Sequence, residues 1–335
     1  MSTFNTRLPG LALALLLGLA GLGLATLPAF SRLQLSALTL AIVLGMLVGN
    51  LAGSRLPPQL APGIAFAQRN LLRAGIVLYG LRISFQQIAA VGMGALILDV
   101  AIVASTLALG LWIGRRWLGL DRDTALLTAC GSAICGAAAV LATERLLKPD
   151  PSKVAIAVAG VVLFGTLNIF LYPQLAHWLQ MPPDVYGIYT GATVHEVAQV
   201  VAAGNAVDPA AADTAVIVKL TRVLLLVPFL LLLGGWQARR AGEGAGGGIT
   251  VPWFALGFAA VCALNSVVDL PPAWRTRLLD LDTLLLATAM GALGLDTRFS
   301  RLRALGPKPL LLATALFAWL TIGGYWLLKV VIGSW

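Results

Sequence analysis

Long apolar runs, separated by short polar stretches, follow one another along almost the whole chain. A helix needs about 20 mainly apolar residues to cross a bilayer. We predict membrane segments at 8–29, 33–52, 61–81, 88–114, 124–144, 154–179, 185–204, 214–236, 251–268, 278–295 and 309–333. The pattern therefore predicts an all-α polytopic membrane protein with about 9–11 membrane segments, the upper number applying if every segment crosses.

The composition supports a membrane solvent for most of the chain. Of 335 residues, 59% are hydrophobic and only 11% are charged, which is too few polar groups to cover a water-soluble surface. We therefore predict one transmembrane transporter domain over 1–335, embedded in a lipid bilayer. The net charge of +9 does not indicate nucleic-acid binding, because the Lys and Arg residues lie singly or in pairs at the ends of apolar runs.

One glycine-rich stretch, 237–248, is expected to be a flexible loop that joins two halves, approximately 1–236 and 249–335. The cysteines indicate neither a metal site nor a disulfide framework, because they lie inside apolar segments without ligand spacing. They are Cys130, Cys135 and Cys262. No cofactor is expected, apart from H⁺ or Na⁺ as a coupling ion.

The basic residues predict the orientation. With a cytoplasmic N-terminus and every segment crossing, most Lys and Arg residues face the cytoplasm, but Arg145, Lys148 and Lys153 do not. If 124–144 and 185–204 instead dip in and return on the same side, these three become cytoplasmic. Both arrangements place the C-terminus on the periplasmic or extracellular side of a bacterial inner membrane, and they remain alternatives at this point.

Two pairs of segments resemble each other. Residues 130–140 (CGSAICGAAAV) align without a gap with 190–200 (TGATVHEVAQV), and 80–92 also align without a gap with 294–306. Transporters often contain inverted repeats whose helices are broken near the middle of the membrane. We therefore expect inverted repeats with broken or re-entrant helices.

The first of these segments concentrates small residues: Gly131, Ser132, Cys135 and Gly136. Gly costs about 1 kcal/mol relative to Ala inside a helix, so spanning alone does not explain them. Unwound backbone at membrane depth must be buried in protein or line a cavity, and helix ends there present N–H groups to anions. We predict that these four residues bind substrate; close helix packing is the alternative.

The second segment contains Thr193, His195, Glu196 and Gln199. Ionisable residues inside a membrane indicate a pathway or a binding site. We expect His195 and Glu196 to carry a coupling proton and Thr193 and Gln199 to bind substrate; the alternative is that they only bond neighbouring helices. The sequence H-E-V-A-Q lacks the second histidine of a zinc-protease motif, since Gln199 occupies that position. No metal site is expected.

Lys219 and Arg222 lie a turn apart, roughly 8 and 12 Å inside segment 214–236 at 1.5 Å per residue. Facing the protein interior they would suit an oxyanion, and near an edge they could snorkel to the interface. Asp99 lies deep in segment 88–114 and needs a partner. Asp282 and Asp296 bracket segment 278–295 and are expected near its interfaces.

The ordered motifs CGSAICGAAAV, TGATVHEVAQVVAAG and VKLTRVLLLVP resemble those of the YeiH family of bacterial inner-membrane proteins. Sulfate export is ascribed to that family by inference. The family is similar to a wider superfamily of cation/proton antiporters and bile-acid symporters, which implies inverted repeats and broken helices. It also implies that segments 124–144 and 278–295 cross each other, whereas the charge argument favours dips at 124–144 and 185–204.

Together these features favour a secondary active transporter that exports or exchanges a small anion, either sulfate or another sulfur oxyanion or organosulfonate, coupled to H⁺ or Na⁺. The protein could form a homodimer. One alternative is a cation/proton antiporter that uses Glu196 with Asp99 or Asp296. The other is an intramembrane enzyme or sensor, for which Ser132 or Cys135 would have to meet His195. Nothing in the sequence requires enzymatic activity, and none is expected.

Overall fold

A computed structural model describes residues 6–27, 36–52, 56–241, 253–268, 270–298 and 306–333. Each predicted segment coincides with one helix or with a pair of consecutive helices, and no strand occurs in these ranges. The helices are α1 (Leu8–Ala25), α2 (Ala37–Leu51), α3 (Ala61–Phe66), α4 (Leu72–Tyr79), α5 (Phe85–Trp112), α6 (Arg122–Ala133), α7 (Ala137–Leu147), α8 (Pro151–Trp178), α9 (Pro183–Thr193), α10 (Val197–Asn205), α11 (Pro209–Leu224), α12 (Leu226–Ala241), α13 (Trp253–Val267), α14 (Pro272–Asp296), α15 (Pro307–Ala318) and α16 (Gly324–Ile332).

Six helical stretches of the described chain are long and apolar enough to cross a membrane. They are Leu8–Ala25, Phe85–Trp117, Pro151–Trp178, Pro209–Gln237, Pro272–Asp296 and Pro307–Ile332. Two shorter helices, α2 and α13, are also apolar. The prediction of an all-α polytopic membrane protein is confirmed. The loop predicted at 237–248 lies outside the described residues from 242 onward, and its role in joining two halves stays a prediction.

The helices form two compact units. Unit 1 consists of residues 1–90, 201–209 and 253–301. In it, α14 packs closely on α1 and α2 through glycines: a Cβ on Gly45 would lie 2.3 Å from the carbonyl oxygen of Gly291. Such close backbone approach is a common way of packing membrane helices.

Unit 1 also contains a buried ion pair. Arg82 Nε donates to Asp282 Oδ2 at 2.9 Å, and the Asp282 side chain is fully buried. Asp282 is thus enclosed by protein, and the expectation that it lies near a membrane interface stays a prediction. Because α14 already begins at Pro272, Asp282 lies about 15 Å along the helix at 1.5 Å per residue.

Unit 2 consists of residues 91–200, 210–252 and 302–335. Its α6 and α8 have aspartate N-caps: Asp121 Oδ1 accepts from Thr124 N at 3.2 Å, and Asp150 Oδ1 accepts from Ser152 N at 2.8 Å. These caps fix where each helix begins. Between α5 and α6 the close approach again depends on glycine, since a Cβ on Gly110 would lie 2.6 Å from the Ala129 Cβ.

Segment 124–144 folds back on itself as a helical hairpin. Cys130 Sγ on α6 lies 3.4 Å from Thr143 Oγ1 on α7, whereas 13 residues of continuous helix would separate them by about 20 Å. The hairpin returns to its starting side, because Lys153 Nζ, at the start of α8, donates to Asp121 Oδ1 at 2.7 Å. We call α6–α7 the first hairpin and Ile134–Gly136 the first tip.

Segment 185–204 makes a second reversal. Gly187 packs on Ala211, and one turn later Gly191 packs on Ala215, so α9 and α11 lie side by side and run in the same direction. The intervening chain, which includes α10, must therefore return to the level at which α9 began. We call α9–α10 the second hairpin and Val194–Glu196 the second tip.

The two hairpins start at opposite ends of α8. This 28-residue helix is about 42 Å long; it starts beside the base of the first hairpin and leads to the second. The return through α11 and α12 ends beside the first hairpin, where the Arg122 guanidinium lies 3.7 Å from the centre of the Trp236 ring. The hairpins are thus inverted relative to each other, and the aligned stretches 130–140 and 190–200 contain the two tips.

This geometry tests the charge argument about 124–144. That argument predicted dips at 124–144 and 185–204, and both segments fold back, the first of them at Gly136 (φ +68°). The crossing of 124–144 with 278–295 that the resemblance implies stays a prediction, because the first segment belongs to unit 2 and the second to unit 1.

Candidate functional site

The two tips lie well inside unit 2. α6 has 12 residues and α9 has 11, which corresponds to arms of about 18 and 16 Å. Each arm covers about half of a 30 Å hydrocarbon core. The tips are therefore near the middle of the membrane, where broken backbone needs partners from the protein.

The carbonyl group at the first tip accepts bonds from both buried cations. Ile134 O accepts from Lys219 Nζ at 2.8 Å and from Arg222 Nε at 2.9 Å. Ile134 follows the last residue of α6, so its carbonyl lies at the partly negative end of that helix. Two positive side chains thus donate hydrogen bonds to a carbonyl group at the end of α6 that has no partner within the helix.

The same cations bind the end of α9. Lys219 Nζ donates to Val194 O at 2.7 Å, and the two terminal nitrogens of Arg222 donate to Ala192 O and Val194 O. The five N–H donors of a guanidinium form a planar fork, so one Arg222 side chain reaches both tips. Lys219 and Arg222 together tie the two broken helices to each other.

Both cations are inaccessible to solvent, each with 0% exposure. The interpretation that they snorkel to an interface therefore does not hold. Their spacing of three residues puts them on one face of α11, and the small residues Ala211 and Ala215 allow this helix to lie directly against α9.

Glu196 also connects the tips, but here an acidic side chain accepts a hydrogen bond from a backbone N–H group. Its Oε1 accepts from Ala137 N at 3.2 Å, at the first residue of α7. A Cβ on Gly136 would lie 2.5 Å from Glu196 Cγ, and the positive φ of Gly136 also disfavours any other residue. Unlike the two cations, Glu196 is partly exposed.

Gln199 orients the second tip. Its Oε1 accepts from Glu196 N at 3.0 Å, and its amide packs where a Cβ on Gly165 would stand. Gln199 Nε2 and His195 Nδ1 are buried without a hydrogen-bond partner among the described residues. Thr193 Oγ1 donates to Tyr189 O at 2.6 Å within α9.

The small residues of the first hairpin divide between two roles. Gly131 allows close packing, since its Cβ would lie 2.8 Å from side-chain atoms of Val140 and Val161, and Gly136 forms the break. Ser132 and Cys135 are buried beside them. The packing interpretation thus holds for Gly131, while Gly136 belongs to the broken tip.

Asp99 and Tyr172 lie close to Arg222; the sequence interpretation considered Asp99 only as a second acid beside Glu196 and did not consider Tyr172. Asp99 on α5 is within electrostatic range of Arg222 and Lys219, is fully buried, and has no hydrogen-bond partner on either oxygen among the described residues. Tyr172 on α8 stacks on Tyr189 with ring centroids 4.8 Å apart. In the sequence, the available signal for this stacked pair was the presence of a tyrosine in each of two consecutive apolar segments.

The site contains no cluster of metal ligands in the described part of the chain, where no group of three His, Cys, Asp or Glu side chains could hold an ion. Ser132, Cys135 and His195 all belong to the region of the tips, but no hydrogen bond joins His195 to either of the other two within the described ranges. The absence of a metal cofactor and of enzymatic activity stay predictions.

Residues 9–313 match the family described as Conserved hypothetical protein 698. The UPF0324 membrane protein of Pseudomonas aeruginosa is 53% identical over 308 residues, which are 89% of this chain and 87% of that protein. The UPF0324 inner membrane protein YeiH of Escherichia coli K12 is 48% identical over 323 residues, covering 95% and 92%. The protein of that name in Salmonella typhimurium is 50% identical over 324 residues, with the same coverage. No solved structure is significantly similar. The resemblance found in the three motifs is thus confirmed, and the chain belongs to the UPF0324 family of membrane proteins that includes YeiH.

Proposed function

We propose that the chain is a secondary active transporter of the bacterial inner membrane and that its cargo is a small anion bound at the two tips of unit 2. The observation that carries this proposal is the meeting of two inverted hairpins around Lys219 and Arg222. Broken helices at membrane depth are costly unless they serve a cavity or pathway. Relatives named inner membrane proteins support the location.

The charges around the tips support an anion as cargo. Lys219 and Arg222 supply two positive charges, and their hydrogen bonds leave one donor of Lys219 and two of Arg222 for other partners. The ends of α6 and α9 offset about half a charge each. The remaining charge of about +1 is balanced by one ionised acid, so with Asp99 and Glu196 both ionised no positive charge is left for an anion. Protonation of one acid restores the charge that the entry of a monovalent anion requires.

The proposed orientation follows from the basic residues at the base of the first hairpin. Arg122, Arg145, Lys148 and Lys153 belong to the same side once the segment folds back. By the positive-inside rule this side is cytoplasmic, which agrees with a cytoplasmic N-terminus and an external C-terminus. Reporter fusions after residue 150 and at the C-terminus would test this orientation.

The test of transport is exchange in proteoliposomes. Vesicles loaded with sulfate, thiosulfate, sulfite or taurine are diluted into the same labelled anion, with an inward or outward pH gradient. We expect one of these anions to exchange and the exchange to respond to the gradient. Exchange of none of them, with correctly inserted protein, would contradict an anion carrier for this substrate class.

Arg222→Lys is the informative variant, because it keeps the charge but loses the planar fork. We expect slower exchange with the preference among anions retained. Lys329→Arg on α16 is the matched control, since Lys329 lies over the Tyr325 ring rather than at the tips. Equal loss in both variants would remove Arg222 from the site.

A second candidate function is cation/proton antiport, which is favoured by the buried carboxyl group of Asp99, since neither of its oxygens has a hydrogen-bond partner in the described part of the chain. Glu196 in the same unit would be its second acid; Asp296 ends α14 in unit 1. Under this alternative Na⁺ or Li⁺ stabilises the purified protein against heat, Asp99→Asn abolishes the effect, and sulfur oxyanions have none. Under the anion proposal the cations have no such effect.

A further inference from the structure

The N-terminus of α7 is occupied by a carboxylate from a different hairpin. α7 has no capping side chain of its own, since Gly136 stands at its N-cap. Glu196 accepts the hydrogen bond of Ala137 N instead, and its Cγ fills the space beside Gly136. A helix N-terminus carries about half a positive charge and attracts anions.

A second donor, beside the second tip, has no hydrogen-bond partner among the described residues. Gln199 Oε1 accepts a hydrogen bond from Glu196 N, so Nε2 of the same amide points away from that nitrogen. Gln199 Nε2 is buried and has no hydrogen-bond partner among the described residues. Buried amide N–H groups normally donate to something. Gln199, the residue that orients the backbone of Glu196, therefore has a donor left that a bound anion would satisfy.

We propose that the Glu196 carboxylate occupies the place of the cargo anion, and that protonated Glu196 yields this place to one small oxyanion. The inference rests on the proposed function, because it identifies how the same site couples its cargo to protons. A neutral carboxyl group is a weaker ligand for a helix N-terminus than a carboxylate. One proton is therefore taken up for each anion bound.

The surroundings of Glu196 support an exchange of like charges. The charged or titratable groups that face it are Lys219 on α11 and Cys135 at the first tip. The charge of Lys219 must be balanced in both states, first by the carboxylate and then by the cargo. Glu196 is also partly exposed, unlike its neighbours Thr193 and Gln199, so a proton and an anion can reach it.

The deciding experiment uses formate as the probe, because formate has the size of the carboxyl group that it replaces. We expect formate to raise the thermal stability of purified Glu196→Ala in a saturable way. Glu144→Ala is the matched control: Glu144 is on the same helix, α7, but near its C-terminal end, and above neutral pH formate is expected to stabilise this variant no more than the wild type. No difference between the two variants would overturn the proposal.

Glu196→Gln keeps the size of the side chain and imitates the protonated state, so it also serves if Glu196→Ala does not fold. In the wild type, formate affinity should fall about tenfold per pH unit above neutrality, as expected for uptake of one proton. In Glu196→Gln it should not depend on pH. If Asp99→Asn abolishes the pH dependence and Glu196→Gln does not, the coupling acid is Asp99 and the proposal is wrong.

These outcomes are separate from the failure of the proposed function. If formate binds Glu196→Ala but no sulfur oxyanion exchanges in vesicles, the anion site stands and the cargo class is wrong. If the oxyanions exchange but formate distinguishes neither variant, the carrier stands and the exchange with Glu196 is wrong.

Discussion

Units 1 and 2 bury charged side chains in different ways. In unit 1, Arg82 and Asp282 form a direct ion pair at 2.9 Å. In unit 2, the cations Lys219 and Arg222 bind backbone carbonyl groups, and Glu196 binds a backbone N–H group. Asp99 binds no other group among the described residues.

The difference indicates a structural role for one cluster and a functional role for the other. A direct ion pair satisfies itself and has no charge left for a ligand. Charges that bind the ends of broken helices hold the backbone in place and still require counter-charges from elsewhere. The following predictions test this distinction, from the largest expected effect to the smallest.

The largest effect is an all-or-none cross-link that tests whether the first hairpin exists. Thr143→Cys, in a Cys135→Ser background, should form a disulfide with Cys130 on mild oxidation, because the two side chains touch and disulfides need Cα atoms within about 7 Å. Mobility on a non-reducing gel after cleavage between the two positions measures it. Ala139→Cys in the same background is the control. A continuous helix would give no cross-link.

The second prediction concerns the cations. Arg222→Met should destabilise the protein by about 3–5 kcal/mol, because it removes charged hydrogen bonds from buried carbonyl groups. Adding Asp99→Asn should not restore stability, since Asp99 is not the bonding partner. Yield and apparent melting temperature in detergent measure both.

Unit 1 provides the contrast to that result. Arg82→Met should cost a similar amount, but adding Asp282→Leu should recover much of it, because the second change removes the carboxylate left without its ion-pair partner. Rescue by Asp99→Asn, or failure of Asp282→Leu to rescue, would show that the two units do not differ in this way.

The third prediction compares two glycines of unit 2 with similar positive φ. Gly136 (φ +68°) and Gly92 (φ +76°) would both be strained as alanine, but only at Gly136 would the Cβ meet other groups: Glu196 Cγ at 2.5 Å and Val161 Cγ1 at 3.0 Å. We expect Gly92→Ala to cost about 1–2 kcal/mol and Gly136→Ala about 1–3 kcal/mol more. Adding Glu196→Ala should recover part of the extra cost but none of the cost shared with Gly92→Ala, because Val161 Cγ1 still lies 3.0 Å from the added Cβ. Thermal unfolding of the four variants measures the coupling.

The smallest effect is expected at the base of the first hairpin. Partial burial raises the pKa of Asp121, but hydrogen bonds from Lys153 and Thr124 outweigh it and lower the pKa to about 2. The stabilisation is therefore present above the ordinary pKa of 3.8 and is lost as pH falls towards 2. Asp121→Asn, which still caps α6, should cost less than about 1 kcal/mol at neutral pH because the pair is solvent-screened. The difference from the wild type should vanish near pH 2.

The sequence predicted the helices and the two unusual segments, because apolar length and misplaced polar residues are local properties. The sequence also allowed the reversal at 124–144 to be predicted, since Arg145, Lys148 and Lys153 would not face the cytoplasm if this segment crossed the membrane. The joint role of Lys219 and Arg222 could not be predicted from the sequence, because their partners are backbone carbonyl groups, which every residue carries. Glu196 at the start of α7 joins positions 59 residues apart, and no local pattern indicates such a contact.

The bonds of Lys219 and Arg222 have a consequence for how easily the site could change. These side chains recognise main-chain atoms at residues 134, 192 and 194, whatever side chains those positions carry. The frame of the site is therefore largely independent of the side chains that face the cargo. Libraries that vary Ile134, Ala192 and Val194 within the available volume should keep the two hairpins joined, so that a change of cargo preference does not require a new scaffold.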